Sequence, residues 1–290
     1  MNVLSVFDGM SCGQVALERA GISYDNYFAS EIDKYAIHVA NKNYPKTIQL
    51  GTIENWREWT LPKIDLFIGG SPCQGFSNAG KRLNFDDPRS KLFFTYVDIL
   101  NYLREKNPDL IFLLENVKMK KEWRDIITKL TGVEPVEINS SLVSAQNRVR
   151  NYWTNLKTPQ PQDKKLTWVD VMEIGADNVF YYTEASFNWI NKSENRMKKF
   201  KIYDMDTEEK MQMIEATHYK GYSNQRCFGI KDVSGVRYIS PTECERLQTL
   251  CDGYTEGVSN TQRYKMIGNG WTIEVIAHIF RNIKVAEPLD

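Results

Sequence analysis

The chain has 290 residues, 42% of them hydrophobic and 26% charged, with 37 basic side chains against 37 acidic ones. That length supports a full-sized core and leaves room for a second, smaller domain, while a net charge of zero excludes a broadly polycationic binder. No apolar stretch approaches a membrane span, and the opening MNVLSVFDGM has no basic flank ahead of a long apolar region, so the chain reads as cytosolic.

In chain order, short apolar runs alternate with amphipathic ones over the first 156 residues, the rhythm of βαβ units with a parallel sheet. Strands are predicted at Val3 to Phe7, Tyr27 to Glu31, Asp65 to Gly70, Asp109 to Val117 and Val136 to Val143. Helices are predicted at Gly13 to Ala20, Lys34 to Asn43, Leu92 to Glu105 and Lys121 to Leu130. The segment KTPQPQDKK then reads as a linker, and a polar, irregular stretch runs to about Val236. Regularity returns at SPTECERLQTL, where Ser240 stands as an N-cap before Pro241 with Glu243 in capping-box position. A last helix, Thr272 to Ile283, carries Ile273, Ile276, Ala277 and Phe280 on one face and is expected to return to the first domain. The organisation expected is therefore 1–156, a small domain at 157–236, and a returning segment at 237–290.

Two turns carry the chemistry. FDGMSCG (Phe7, Asp8, Gly9, Met10, Ser11, Cys12, Gly13) leaves the first strand and opens a helix, where free N–H groups can meet an anionic ligand. A plain strand-to-helix turn that needs small residues accounts for it equally well. Glu31, about twenty residues on at the end of the second strand, favours a ribose-binding site, although no GxGxxG is present and a dinucleotide stays open. The second turn, GGSPCQGFSNAG, puts Cys73 at the carboxyl end of the strand IDLFI. The five cysteines (Cys12, Cys73, Cys227, Cys244, Cys251) are irregularly spaced with no CxxC pair, so no disulfide framework and no metal site is expected.

Cysteine is more often buried and structural than reactive, but Gly69, Gly70, Ser71 and Pro72 favour an exposed turn here. Glu115 closes the next strand at the same edge, either as a satisfied cap or as a site residue. Arg148 and Arg150 alternate in QNRVRNYW, so both can face one side of an extended segment, with a solvated edge strand as the plainer account. A thiol, a carboxylate and two guanidiniums together suit addition to an electron-poor ring.

FDGMSCG, SEIDKYA, GGSPCQGFS, ENV, QNRVR, SPTECERLQ and MIGNGW follow the order of the motifs of DNA cytosine-5 methyltransferases, and the chain resembles that family over Val3 to Leu156 and Arg237 to Phe280. PCQGFS looks bacterial or phage-like, whereas SPTEC and GNGW look like the eukaryotic de novo branch. The resemblance implies an α/β fold: a Rossmann-like S-adenosylmethionine-dependent methyltransferase sheet with helices on both faces, plus a small irregular target-recognition domain.

It implies that Cys73 adds to C6 of a flipped-out cytosine, that Glu115 contacts the N3 edge, and that Arg150 and Arg148 bind at the base. S-adenosylmethionine would be held by Phe7 to Gly13, Glu31, Ile32, Thr52, Ile53, Ser71, Pro72, Leu92, Asn269, Gly270 and Trp271. Two positions depart from the family pattern: Thr52 stands where an aspartate usually reads the adenine amino group, and Ile32 where a bulky aromatic often packs on the adenine.

The partner implied is double-stranded DNA, met by a protein acting as a monomer in the cytoplasm of a bacterial or phage-infected cell, as in restriction–modification. Expected DNA contacts are Gln74, Ser77, Lys81, Arg82 and Arg89 in and after the mobile loop, and Asn224, Gln225 and Arg226 at base edges. Lys192 to Lys201 would serve phosphates; solvated surface accounts for these basic runs as well. The competing readings are an RNA enzyme, since one branch of the family methylates transfer RNA, and an inactive regulatory homologue.

Overall fold

The computed structural model describes residues 1–71, 88–176, 179–206, 208–223 and 228–283. They fall into two compact units, one formed by Met1–Ile138, Val149–Gln160 and the chain from Ile276 onward, the other by Asn139–Arg148 and Pro161–Val275.

The first unit is an α/β layer structure. Its strands β1 (Asn2–Val6), β2 (Asn26–Ser30), β3 (Ile48–Gln49), β4 (Leu66–Gly70), β5 (Ile111–Val117) and β6 (Val136–Asn139) join a later strand in one seven-stranded sheet. The helices α1 (Cys12–Ala20), α2 (Lys34–Asn43), α3 (Pro88–Lys106) and α4 (Lys121–Thr131) lie between them in the chain. Next along the chain come β7 (Gln146–Asn147) and β8 (Val149–Thr154), and the sheet order is β3-β2-β1-β4-β5-β8-β6. The pairs β1–β2, β1–β4, β2–β3 and β4–β5 are parallel, which explains the unbroken apolar runs: strands covered on both faces show no polar alternation.

Chain order reverses beside β1, which has β2 on one side and β4 on the other, and such a switch point opens a crevice at the carboxyl ends of the strands. In α3, Phe93, Tyr96, Leu100 and Leu103 recur at helical spacing and pack with Leu4, Phe67 and Phe112; Tyr96 stacks on Phe67 at 4.5 Å.

Two elements differ from expectation. The strand read as Val136 to Val143 ends at Asn139, because the Asn139 side chain accepts the Ser141 N–H at 3.1 Å and turns the chain into a short 3-10 helix. QNRVRNYW is not a solvated edge either. β8 runs antiparallel to β5 inside the sheet, with Tyr152 and Trp153 buried, and its charge is tolerated there because it is paired.

The second unit is more regular than its polar composition suggests. It contains α5 (Glu184–Asn191), α6 (Glu194–Lys199), β9 (Lys201–Tyr203), β10 (Met211–Gln212), β11 (Phe228–Asp232), β12 (Gly235–Arg237), α7 (Pro241–Leu247) and α8 (Asn260–Asn269). β12, β11 and β9 form a three-stranded sheet, and β10 pairs with β7. The capping box at Ser240 and Glu243 forms as read.

The division falls elsewhere than at residues 157 and 237, however, since α7 and α8 group with the second unit and only the chain from Ile276 joins the first, partway along α9 (Ile273–Phe280). Buried side-chain bonds over long separations account for this. Ser144 Oγ and Gln146 Nε2 both donate to the Leu247 carbonyl, and Ser140 Oγ donates to Thr272 Oγ1 at 2.9 Å. No described helix is long and apolar enough to cross a membrane.

Candidate active site

In the first unit, β1 ends in a turn where Phe7, Gly9 and Ser11 all take left-handed backbone angles (φ 57°, 60° and 67°). Left-handed geometry at Phe7 and Ser11 costs an L-residue about 1–2 kcal/mol each, so the surroundings must enforce it. They do so through Asp8. Its amide donates to the Ser30 carbonyl (3.2 Å), its carbonyl accepts from the Ser11 amide (3.1 Å), and its Oδ1 accepts from the Tyr27 hydroxyl (2.7 Å).

Burial pushes the Asp8 carboxyl up to about 6, with bonds from Ser5, Tyr27 and Ser11 opposing the rise, and Oδ2 has no hydrogen-bond partner among the described residues. Met10 and Cys12 are buried under the turn, and a side chain on Gly13 would meet Ile68 and the Tyr27 hydroxyl at 2.5 Å.

Glu31 closes β2 beside this turn. Its Oε2 accepts from the Gly9 amide (2.8 Å), and its Oε1 accepts from the amides of Ile32 (2.7 Å) and Asp33 (2.9 Å). Ile32 is 77% exposed, an apolar surface beside a carboxylate. Thr52 caps the short helix that Ile53 opens, accepting from Glu54 N at 3.3 Å, and Ile53 itself is buried in the core. Leu92 in α3 is half-buried against the same core. Paired glycines, a carboxylate able to take hydroxyls and an exposed aliphatic face make a donor and acceptor set that fits a nucleoside with an amino-acid tail.

Where β4 ends, Ser71 is buried and Asn116 Nδ2 donates to its Oγ (3.1 Å) and its carbonyl (3.3 Å). Pro72, Cys73, Gln74, Ser77, Lys81 and Arg82 lie outside the described residues, as do the side chain of Arg89 and the residues Asn224, Gln225 and Arg226. Gly70, three residues before Cys73 in the chain, stands opposite Glu115 on β5. Glu115 pairs with Arg150 (Nε to Oε1 3.0 Å), both about one-tenth exposed, and Arg150 Nη1 also donates to the Val149 carbonyl.

A carboxylate oriented by a guanidinium at the sheet's carboxyl edge can hold a protonated ring nitrogen and an exocyclic amine. Asn116 is the residue that the sequence reading passes over. Its only signal is a second polar residue, directly after Glu115, at the close of an apolar strand.

Arg148 and Arg150 part company. Within the second unit, the Arg148 guanidinium is buried and donates to the carbonyls of Ile214 (3.1 Å), Gly268 (3.1 Å) and Gly270 (2.9 Å). Gln248 donates to the carbonyls of Ile267 and Gly270. Between them they gather the end of α8, where Asn269 is exposed and Trp271 half-buried. Gly268 has no alternative there, since a side chain would strike the backbone of residues 215 and 216 at 2.3 Å. Among the described residues no group of His, Cys, Asp and Glu could hold a metal ion.

The model of the C-5 cytosine-specific DNA methylase family matches residues 1–133 and 137–285. The chain is 31% identical over 277 residues to the type II methyltransferase M1.ScrFI of Lactococcus lactis subsp. cremoris, covering 86% of this chain and 69% of that protein. It is 29% identical over 307 residues to the type II methyltransferase M.NlaX of Neisseria lactamica, covering 98% and 96%. Among solved structures, the Dnmt2 methyltransferase of S. pombe superposes with a TM-score of 0.76 over 97% of each chain at 19% identity, a likeness of fold.

Proposed function

The chain belongs to the C-5 cytosine-specific DNA methylases, which use S-adenosylmethionine, and from that premise we propose that it methylates carbon 5 of a cytosine flipped out of duplex DNA through a covalent bond from Cys73. In this reading the Cys73 thiolate adds to C6, and the electron pair displaced toward C5 makes that carbon nucleophilic. Glu115 holds the N3 and amino edge of the ring, where the added charge collects, and Arg150 keeps the carboxylate aimed. When bound, the cofactor supplies the electrophilic methyl group. Loss of the C5 proton then expels the thiolate and restores the aromatic ring.

Phe7 to Gly13, Glu31, Ile32, Thr52 and Ile53 are assigned to the cofactor, with Ser71, Pro72 and Leu92. Arg148 is assigned a positioning role through the carbonyls it gathers rather than a contact with the base.

The observation that carries the reading is the Glu115–Arg150 pair in register with Gly70, at the strand end that leads to Cys73. It is tested with duplex DNA amplified so that 5-fluorocytosine replaces cytosine. Fluorine cannot leave C5 as a cation, so the adduct should persist through denaturing electrophoresis and vanish in Cys73→Ala. Methyl transfer by Cys73→Ala at the wild-type rate would falsify the covalent step. Tritium counts incorporated into plasmid DNA and into transfer RNA decide the substrate, and a preference for RNA overturns the duplex-DNA assignment.

A further inference from the structure

The second unit contains a cavity of about 70 Å³ lined by Phe180, His218, Tyr219, Tyr238, Asn260 and Tyr264, among others. A smaller one of about 10 Å³ shares the walls of His218, Tyr238 and Tyr264. The larger is several times the space that one water needs, and its walls are mostly aromatic.

His218 sets its polarity. The Glu215 amide donates to Nδ1 at 2.9 Å, so that nitrogen is an acceptor and the ring proton sits on Nε2. Burial pushes the imidazole down to about 4, which keeps it neutral at pH 7. Nε2 is buried without a hydrogen-bond partner among the described residues, so the ring bordering both cavities carries an unanswered donor. Lys265 and Lys220 stand 5.4 and 5.9 Å from the centre of the ring of Tyr219, one of the wall residues. Tyr238 is held in place behind, edge-on to Tyr182 at 4.5 Å, over Gly221, where any side chain would strike its ring at 2.3 Å.

Flat aromatic walls, one buried N–H donor and two ammonium groups beside the wall residue Tyr219 match the three parts of one ligand class: a planar base, an acceptor on its edge and a phosphate. We propose that this cavity is a nucleotide site, separate from the target-cytosine site, in which a base packs among the tyrosines, accepts a hydrogen bond from His218 Nε2 and leaves its phosphate at Lys220 and Lys265. The nucleotide comes either from bound DNA, in which case the inference rests on the DNA reading above, or from free solution.

The chain has three histidines, so long-range proton–nitrogen correlation of the full-length protein, labelled with ¹⁵N-histidine, resolves the His218 ring. Titration with dAMP, dGMP, dCMP and TMP should shift its Nε2–H saturably for at least one of them. Tyr219→Ala and Lys265→Gln should weaken that binding about tenfold, the loss of a contact worth about 1.4 kcal/mol, with S-adenosylmethionine affinity and the melting temperature unchanged. Displacement of the mononucleotide by plasmid duplex assigns the occupant to DNA, and simultaneous binding assigns it to a free nucleotide.

The proposal is overturned if no mononucleotide, and not the plasmid either, moves the His218 signal in a preparation that methylates that plasmid. A His218 shift in a preparation that methylates no DNA keeps the nucleotide site and removes the DNA reading instead.

Discussion

The two units bury charge to opposite ends. In the second, Arg237 and Glu243 form a twofold pair (2.8 and 2.9 Å) that is only 1–2% exposed, and the Glu243 oxygens also accept from the amides of Glu173 and Ser240. Glu245 is likewise enclosed, taking bonds from Thr255, Gly253 and Arg263. In the first unit, the Glu115–Arg150 pair stands inside the sheet near the carboxyl end of β5, with about a tenth of each side chain open to solvent. An ion pair closed on every side fixes a fold; one left ajar at the end of a strand is placed to meet a ligand.

The same substitution in the two pairs should therefore give different losses. Glu115→Gln removes the charge and keeps the shape, and the rate of methyl transfer to plasmid DNA should drop by about 10²- to 10⁴-fold with a folded, monodisperse product. Glu243→Gln should do the reverse. It leaves the buried Arg237 with Asp232 (3.1 Å) as its remaining carboxylate among the described residues, which lowers unfolding free energy in urea by about 1–3 kcal/mol, while the rate per folded molecule stays near wild type. If Glu115→Gln proves as destabilising as Glu243→Gln and turns over normally once folded, the distinction between the pairs collapses.

One more buried carboxylate sharpens the contrast, because no ion pair answers it among the described residues. Burial raises Asp8 from 3.8 to about 6, so between those values the folded state holds a proton that the unfolded chain has lost. Stability contributed at low pH is then lost as pH rises through 4 to 6, by up to about 3 kcal/mol. Asp8→Asn should flatten that slope, so its stability relative to wild type improves from pH 4 to pH 7 in urea titrations. An unchanged slope would mean that Tyr27 and the serines already stabilise the charged form.

Much of the first unit was legible because its strands are apolar on both faces and stop at a polar residue. Phe7, Glu31, Ser71 and Glu115 each stand just beyond or near the end of such a run, and the sheet order brings those ends to one edge. The Ser240 cap was legible because a capping box lies within four residues of chain.

The partners of Arg148 were not. They lie 66 to 122 residues away and are backbone carbonyls, which every residue type offers alike. Period-two spacing put Arg148 beside Arg150, and nothing in RVR says that one reaches a carboxylate and the other a helix end. The extent of the second unit was hidden for the same reason: bonds such as those from Ser144 and Gln146 to Leu247 mark no composition change at residue 237.

One small bond has a wider meaning. His278 Nε2–H donates to the Pro159 carbonyl at 2.8 Å, just inside the points where the chain leaves the first unit after Gln160 and rejoins it at Ile276. To the sheet, everything between is a single loop whose two ends are clasped together. The entropy of closing a loop grows only with the logarithm of its length, so the intervening sequence can lengthen or shorten at its surface turns with little penalty to the sheet. The chain between would then be free to vary in its surface turns, while the stretches bonded to residues 139–148 stay fixed.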